Sequence, residues 1–141
     1  MKTCRFHDIA AEHRDRFLFD LVEKAYDRRD RVVIFAGDIG RAEAIDRFLW
    51  IMKQEAFIPH GIIEKNETGD RSPVAIVTAE INPVGAGTLI ADRHCGIDFA
   101  CGFDTVHEFV DRSTPALHEE SRRRFRAYRL RKINVEHVKA G

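Results

Sequence analysis

Arg31-Val32-Val33-Ile34-Phe35-Ala36-Gly37 is a run of apolar, mostly β-branched residues closed by a glycine. No polar residue alternates into it between Val32 and Ala36, so it predicts a strand buried on both faces. Helical periodicity flanks it on either side. Upstream, Phe17, Leu18, Leu21, Val22 and Ala25 recur at helical spacing, and 10–29 reads as a long amphipathic helix. Downstream, 41–53 reads as a second helix with Ile45, Leu49 and Met52 as its core stripe. The alternation continues outward. Residues 3–8 are a candidate first strand. Residues 60–63 and 74–78 are two more, separated by the turn-like Asn66-Glu-Thr-Gly-Asp70. Strand candidates at 88–91 and 104–110 follow. Ser113-Thr-Pro115 then opens a last helix, with proline in its first turn and Ser113 or Thr114 as its N-cap. Strands alternating with helices predict a Rossmann-like α/β three-layer sandwich with a largely parallel sheet, filling 1–141 as one domain.

Composition narrows the classes. Of 141 residues, 44% are hydrophobic and 33% charged, a balance suited to a soluble globular chain. No apolar run approaches the roughly 20 residues that span a bilayer, so no membrane association is expected. The opening MKTCRFHDIAAEHRDR carries charges where an export signal needs an apolar stretch. Cys4, Cys95 and Cys101 are odd in number and lack CxxC spacing, which favours reduced thiols in the cytoplasm. Net charge is zero, but unevenly spread. Residues 114–141 hold eight Lys/Arg against three Asp/Glu, and residues 1–113 hold fifteen against twenty. A basic C-terminal segment on an acidic body is either a solvated arginine-rich helix face or one localised anion-binding surface.

Catalytic signatures are scarce. The turn after the 31–36 strand, Gly37-Asp-Ile-Gly40-Arg41, lacks the central glycine of a dinucleotide fingerprint and puts an acidic side chain where a phosphate would approach. It reads as a tight turn capped by Asp38, without a nucleotide site. Val84-Gly-Ala-Gly87 fits a loop. Arg93-His-Cys-Gly-Ile-Asp98 with Cys101 lacks paired zinc-ligand spacing, and no GxSxG elbow occurs. A nucleophile built from Cys95 and a distant histidine rests on residue types alone. No catalytic residue, cofactor or metal is therefore assigned. The alternative is a small Rossmann-like enzyme binding a nucleotide at 37–41.

Two surfaces stand out as binding candidates. At about 100° per residue, Trp50 points roughly 140° away from Ile45, off the core stripe of its helix. A tryptophan in that position either covers a loop or anchors a partner, and Phe57 extends the same apolar patch. On the last helix, Arg122, Phe125, Arg126 and Arg129 fall within about 100° of arc. Leu117, Ser121 and Tyr128 lie on another side and are expected to face the body. An aromatic ring among guanidinium groups suits an acidic peptide, especially one ending in a free carboxylate.

Blocks across the chain resemble the chi subunit of the bacterial DNA polymerase III clamp loader. They are Arg31-Val-Val-Ile, Ile45-Asp-Arg-Phe-Leu-Trp50, Phe57-Ile-Pro-His60, Pro73-Val-Ala-Ile, Phe99-Ala-Cys-Gly-Phe103, Glu108-Phe-Val-Asp111 and Arg124-Phe-Arg-Ala-Tyr-Arg129. The resemblance spans roughly 30–132, with a looser match before it. It implies a non-catalytic replisome adaptor with a Rossmann-like fold. It also implies two partners: the psi subunit, or an equivalent clamp-loader protein, and the acidic C-terminal tail of the single-stranded-DNA-binding protein. Trp50 and Phe57 match the psi-side surface. Val110, Arg122, Phe125, Arg126 and Arg129 match the tail-binding region. Position 125 is phenylalanine where the best-known members have tyrosine, and 126 is arginine in place of lysine. Both changes keep the apolar and cationic character.

Overall fold

The computed structural model describes residues 2–52, 58–64 and 72–139. The turn expected at 66–70 and Phe57 lie outside them. Among the described residues one seven-stranded sheet runs in the order β3-β4-β2-β5-β6-β1-β7, and every pairing is parallel. The strands are β1 (Thr3–Asp8), β2 (Val32–Phe35), β3 (His60–Ile62), β4 (Val74–Val77), β5 (Thr88–Ala91), β6 (Thr105–Phe109) and β7 (Asn134–Lys139). The helices are α1 (Arg14–Asp27), α2 (Ile39–Met52), α3 (Ile97–Ala100) and α4 (Pro115–Leu130).

Period-two side-chain alternation explains the layers. In β2, Val32 and Ile34 pack against α1 and α2 through Leu18, Val22, Ala42 and Ile45. Val33 and Phe35 face the opposite side, where Ala100 of α3 and Tyr128 of α4 close the second half of the core. The 31–36 run is therefore covered on both faces, as its apolar composition predicts, and the expected three-layer α/β sandwich is what forms.

The element boundaries differ from the sequence reading in informative places. Helix α1 starts only at Arg14, after a 3-10 turn at Ala11–His13. Two elements are additional. Helix α3 spans four residues, too few to display a period. Strand β7 is an edge strand in which only Val135 and Val138 are partly covered, a spacing of three that hides a strand. Its start is also unmarked. Helix α4 stops at a lysine in the left-handed region (Lys132, φ 60), where glycine is the usual signal. Arg29 plays the same part after α1.

Candidate peptide-binding site

Helix α4 is held at its N-terminus by Thr114, whose Oγ1 accepts the Leu117 N–H at 3.1 Å, with Pro115 in the first turn. One turn on, Ser121 Oγ accepts the Asp111 N–H at 3.0 Å and donates to the Leu117 carbonyl at 3.2 Å, tying the helix to the end of β6. Deeper, Glu108 of β6 is fully buried and meets Arg124, itself 4% exposed. Arg124 Nε lies 3.1 Å from both Glu108 oxygens, and Nη2 also donates to the carboxylate. The Tyr128 hydroxyl donates to Glu108 Oε2 at 2.7 Å, and Arg124 Nη1 donates to the Cys95 carbonyl. Burial and then the neighbouring Glu108 carboxylate hold the Tyr128 hydroxyl protonated. The inner face of α4 is thus fixed by a satisfied ionic network. The inward Ser121 and Tyr128 agree with the helical-angle reading. Leu117 does not: it is 38% exposed.

With its inner face anchored, α4 turns Phe125 edge-on to Phe6 of β1, with ring centroids 5.4 Å apart. Around this pair lies a cavity of about 350 Å³, lined by Phe6, Val110, Phe125, His118, Arg122 and Arg126, together with Arg112 and His137. Its apolar part comes from β1, the end of β6 and α4, its arginines come from α4 and the 110–114 connection, and β7 adds His137. Arg126 makes one exposed pair with Glu119 at 3.3 Å. Among the described residues Arg122 has no ion-pair partner. The helical arc thus brings Arg122, Phe125 and Arg126 to one cavity, where Val110 joins them from the end of β6. Arg129 is exposed on the same helix but does not line it.

Sequence reasoning missed Phe6, Arg112, His118 and His137 as cavity residues. Arg112 donates to Asp8 through Nε (2.9 Å) and Nη2 (2.6 Å), and His137 Nε2 lies 3.0 Å from the same carboxylate. Hydrogen bonding from Arg112, against the cost of burial, holds Asp8 down to about 2. The partners come from three separate strands or their ends, so no local spacing signals them.

The second surface lies on α2. Trp50 is 48% exposed with its ring 4.9 Å from that of His60, and Ile51 beside it is 62% exposed. An off-core tryptophan is therefore what the helix presents, as its angle predicts. The position of its sequence companion Phe57 is outside the described residues.

The crevice beyond the carboxyl ends of β2 and β5 is where ligands of parallel sheets usually bind. Here a cavity of about 690 Å³ is lined by Arg14, Arg41, Asp92, His94, Phe109 and Leu117 among others. Its arginines are already engaged. Arg41 donates to Asp92 through Nε (2.8 Å) and Nη2 (3.0 Å) and to Asp15 at 2.6 Å. Arg14 stacks over Phe109 at 4.6 Å and pairs with Asp92 at 3.6 Å. Asp92, 3% exposed, is the counter-charge that both arginines share. Asp38 caps α2 by accepting the Arg41 N–H at 2.8 Å. Gly37 (φ +85) lets the chain turn beneath Arg93, whose Cδ would stand 3.0 Å from any Cβ there.

Cys95 is buried behind α4. Burial, reinforced by Glu108, pushes its thiol up to about 12, far from the thiolate needed at neutral pH. Among the described residues no group of three or more His, Cys, Asp or Glu side chains is placed to hold a metal ion, and no helix is long and apolar enough to cross a membrane.

Comparison with known proteins places the whole chain. The crystal structure of T4 UvsW superposes with a TM-score of 0.63 at 10% identity, over 98% of this chain and 41% of that one, a likeness of fold alone. DNA polymerase III subunit chi of Escherichia coli (strain K12) is 31% identical over 106 residues, 74% of this chain and 71% of that protein. DNA polymerase III subunit chi of Pseudomonas aeruginosa is 31% identical over 109 residues, 77% and 74% of the two chains. The sequence model of the family described as DNA polymerase III chi subunit, HolC, matches residues 1–136. The anchored α4 and its arginine-lined cavity therefore sit in a chain that belongs to the DNA polymerase III chi subunit family, accessory subunits of the replicative polymerase.

Proposed function

We propose that this chain is a non-catalytic adaptor, working as one cytoplasmic domain, that links the clamp loader to the C-terminal tail of single-stranded-DNA-binding protein. The observation that carries the reading is the cavity between β1, the end of β6, α4 and β7, with Phe6, Val110 and Phe125 as its apolar part and arginines at its rim. A peptide ending in an apolar residue preceded by aspartates has the matching chemistry. Its last side chain enters the apolar part, and its carboxylates meet guanidinium groups. Arg122 and Arg126 act at the rim. Arg129, outside the cavity, adds attraction for aspartates further upstream. The clamp-loader partner, psi or an equivalent protein, binds the Trp50 surface with Phe57. The chain makes no sequence-specific contact with nucleic acid.

Titration calorimetry with a tail peptide, and with the same peptide lacking its terminal residue, tests the tail site. Pocket binding at micromolar affinity, roughly −8 kcal/mol, collapses on that deletion and survives moderate salt. Binding by charge alone tolerates the deletion and fades steeply with salt. Equal binding of the two peptides refutes the assignment.

A further inference from the structure

We infer that Arg112, held in place by Asp8, is the residue that reads the free terminal carboxylate of the bound peptide, a reading that rests on the peptide site proposed above. The cations of the cavity are not equivalent. Those of α4 are solvent-side groups on long side chains: Arg122 lacks an ion-pair partner among the described residues, and Arg126 holds only Glu119 at 3.3 Å. Such groups follow the mobile aspartates of a peptide but fix no single oxygen pair.

Arg112 differs. Two of its N–H groups, on Nε and Nη2, lock onto the two oxygens of Asp8 at 2.9 and 2.6 Å, a side-on fork, and the His137 ring lies 3.0 Å from the same carboxylate. Asp8 is only 11% exposed and belongs to β1, between β6 and β7, so it is a rigid anchor. The fork uses Nε and one hydrogen of Nη2. The two hydrogens of Nη1 and the second of Nη2 remain, on an arginine that lines the cavity beside Val110 and Phe6. A guanidinium oriented by one carboxylate, with its outer N–H groups left over, is preorganised to receive a second carboxylate and loses little freedom in doing so. The apolar part of the cavity lies alongside, so a terminal side chain and its own α-carboxylate are served together. Asp8 acts here as a positioning residue and does not touch the peptide.

The experiment compares a synthetic acidic peptide ending in an apolar residue as the free acid with the same peptide as its C-terminal amide. Binding is measured by fluorescence anisotropy to the wild type, Arg112→Gln, Arg112→Lys and Arg126→Ala. Since charge-assisted bonds are the strong ones, the wild type prefers the free acid by at least about tenfold. In Arg112→Gln this ratio falls towards one, because only the free acid loses affinity. Arg112→Lys restores part of it, keeping charge without the fork. Arg126→Ala weakens both peptides by similar factors and keeps the ratio. A ratio unchanged in Arg112→Gln overturns the assignment while leaving the peptide site intact, as does a wild type that binds acid and amide equally. A wild type that binds neither peptide overturns the peptide site and this assignment with it. Arg112 is exposed, and circular dichroism of its variants confirms that the fold is unchanged.

Discussion

Glu108 on β6 and Arg124 on α4 form an ion pair fully inside the protein, with Tyr128 as a third member. A charge facing the core is tolerable only when its partner is in place. Glu108→Ala leaves the Arg124 guanidinium buried and unpaired, so we expect a loss of about 3–5 kcal/mol. The double variant Glu108→Leu, Arg124→Met removes both charges and recovers most of it. Urea denaturation of the three proteins checks this. If the single and double variants are equally unstable, the pair is not what anchors α4.

A second prediction concerns acid. His7 and His107 are buried with ring nitrogens 2.9 Å apart, one donating and one accepting, between Phe17 and Phe109. Burial, with Arg5 nearby, lowers His7 from 6.5 to about 4. Burial, with His7 itself, lowers His107 to about 3. Below 6.5 the unfolded chain takes up protons that the folded one refuses, so the pair's full stability is present above 6.5 and drains as pH falls towards 3–4. The slope is at most about 1.4 kcal/mol per pH unit for each histidine. Asp8 acts in a lower window, its contribution fading between 3.8 and about 2. Denaturant midpoints measured from pH 7 to pH 5 read the histidine window, and His107→Gln flattens the curve there. A wild-type curve with no slope below 6.5 rules this out.

The third prediction separates folding from recognition at Trp50. The ring is half exposed and contacts His60, so Trp50→Ala should cost stability only modestly, within about 1 kcal/mol. Loss of affinity for the clamp-loader partner should reach about 2 kcal/mol, the range of an interface anchor. Parallel urea titrations and partner pull-downs decide. Binding that falls only in step with the folded fraction makes Trp50 a packing residue.

The fourth concerns the crevice. Asp92→Ala leaves Arg41 and Arg14, both largely covered, without their shared counter-charge, and we expect a loss of about 2–3 kcal/mol. Millimolar nucleotide should leave the melting temperature of the wild type where it is, because specific binding would raise it by mass action. A clear rise would restore the enzyme reading at 37–41.

The central strands and the three long helices were legible because burial on two faces leaves an unbroken apolar run and burial on one leaves a period. Val32–Phe35 and the Ile45–Leu49 stripe are such signals. β7 was not legible, since an edge strand half in solvent keeps Glu136, His137 and Lys139 and has no period to show. In the site, the α4 residues could be grouped from angle alone, and four of the five sequence candidates line one cavity. Arg124 was counted among the surface charges. Its clue lay elsewhere: Glu108 shares the inward face of β6 with Val106, and a carboxylate on a core-facing strand position demands a cation. Arg112 and Phe6 had no local signal at all, since their partners are about a hundred positions away.

The place of β1 in the sheet, between β6 and β7, sets the order in which the molecule can assemble. Arg5 and Glu136 meet across β1 and β7 although 131 positions separate them. Both neighbours of β1, β6 and β7, lie about a hundred or more positions further along the chain. Pairings of such long sequence separation are slow to form, because loop closure must precede any gain from contact. The cavity draws its walls from β1, the end of β6, α4 and β7, segments joined by these long-range pairings. Newly made protein should therefore gain its affinity for an acidic peptide as a late, single step, after the β2–β4–β5 centre is already compact.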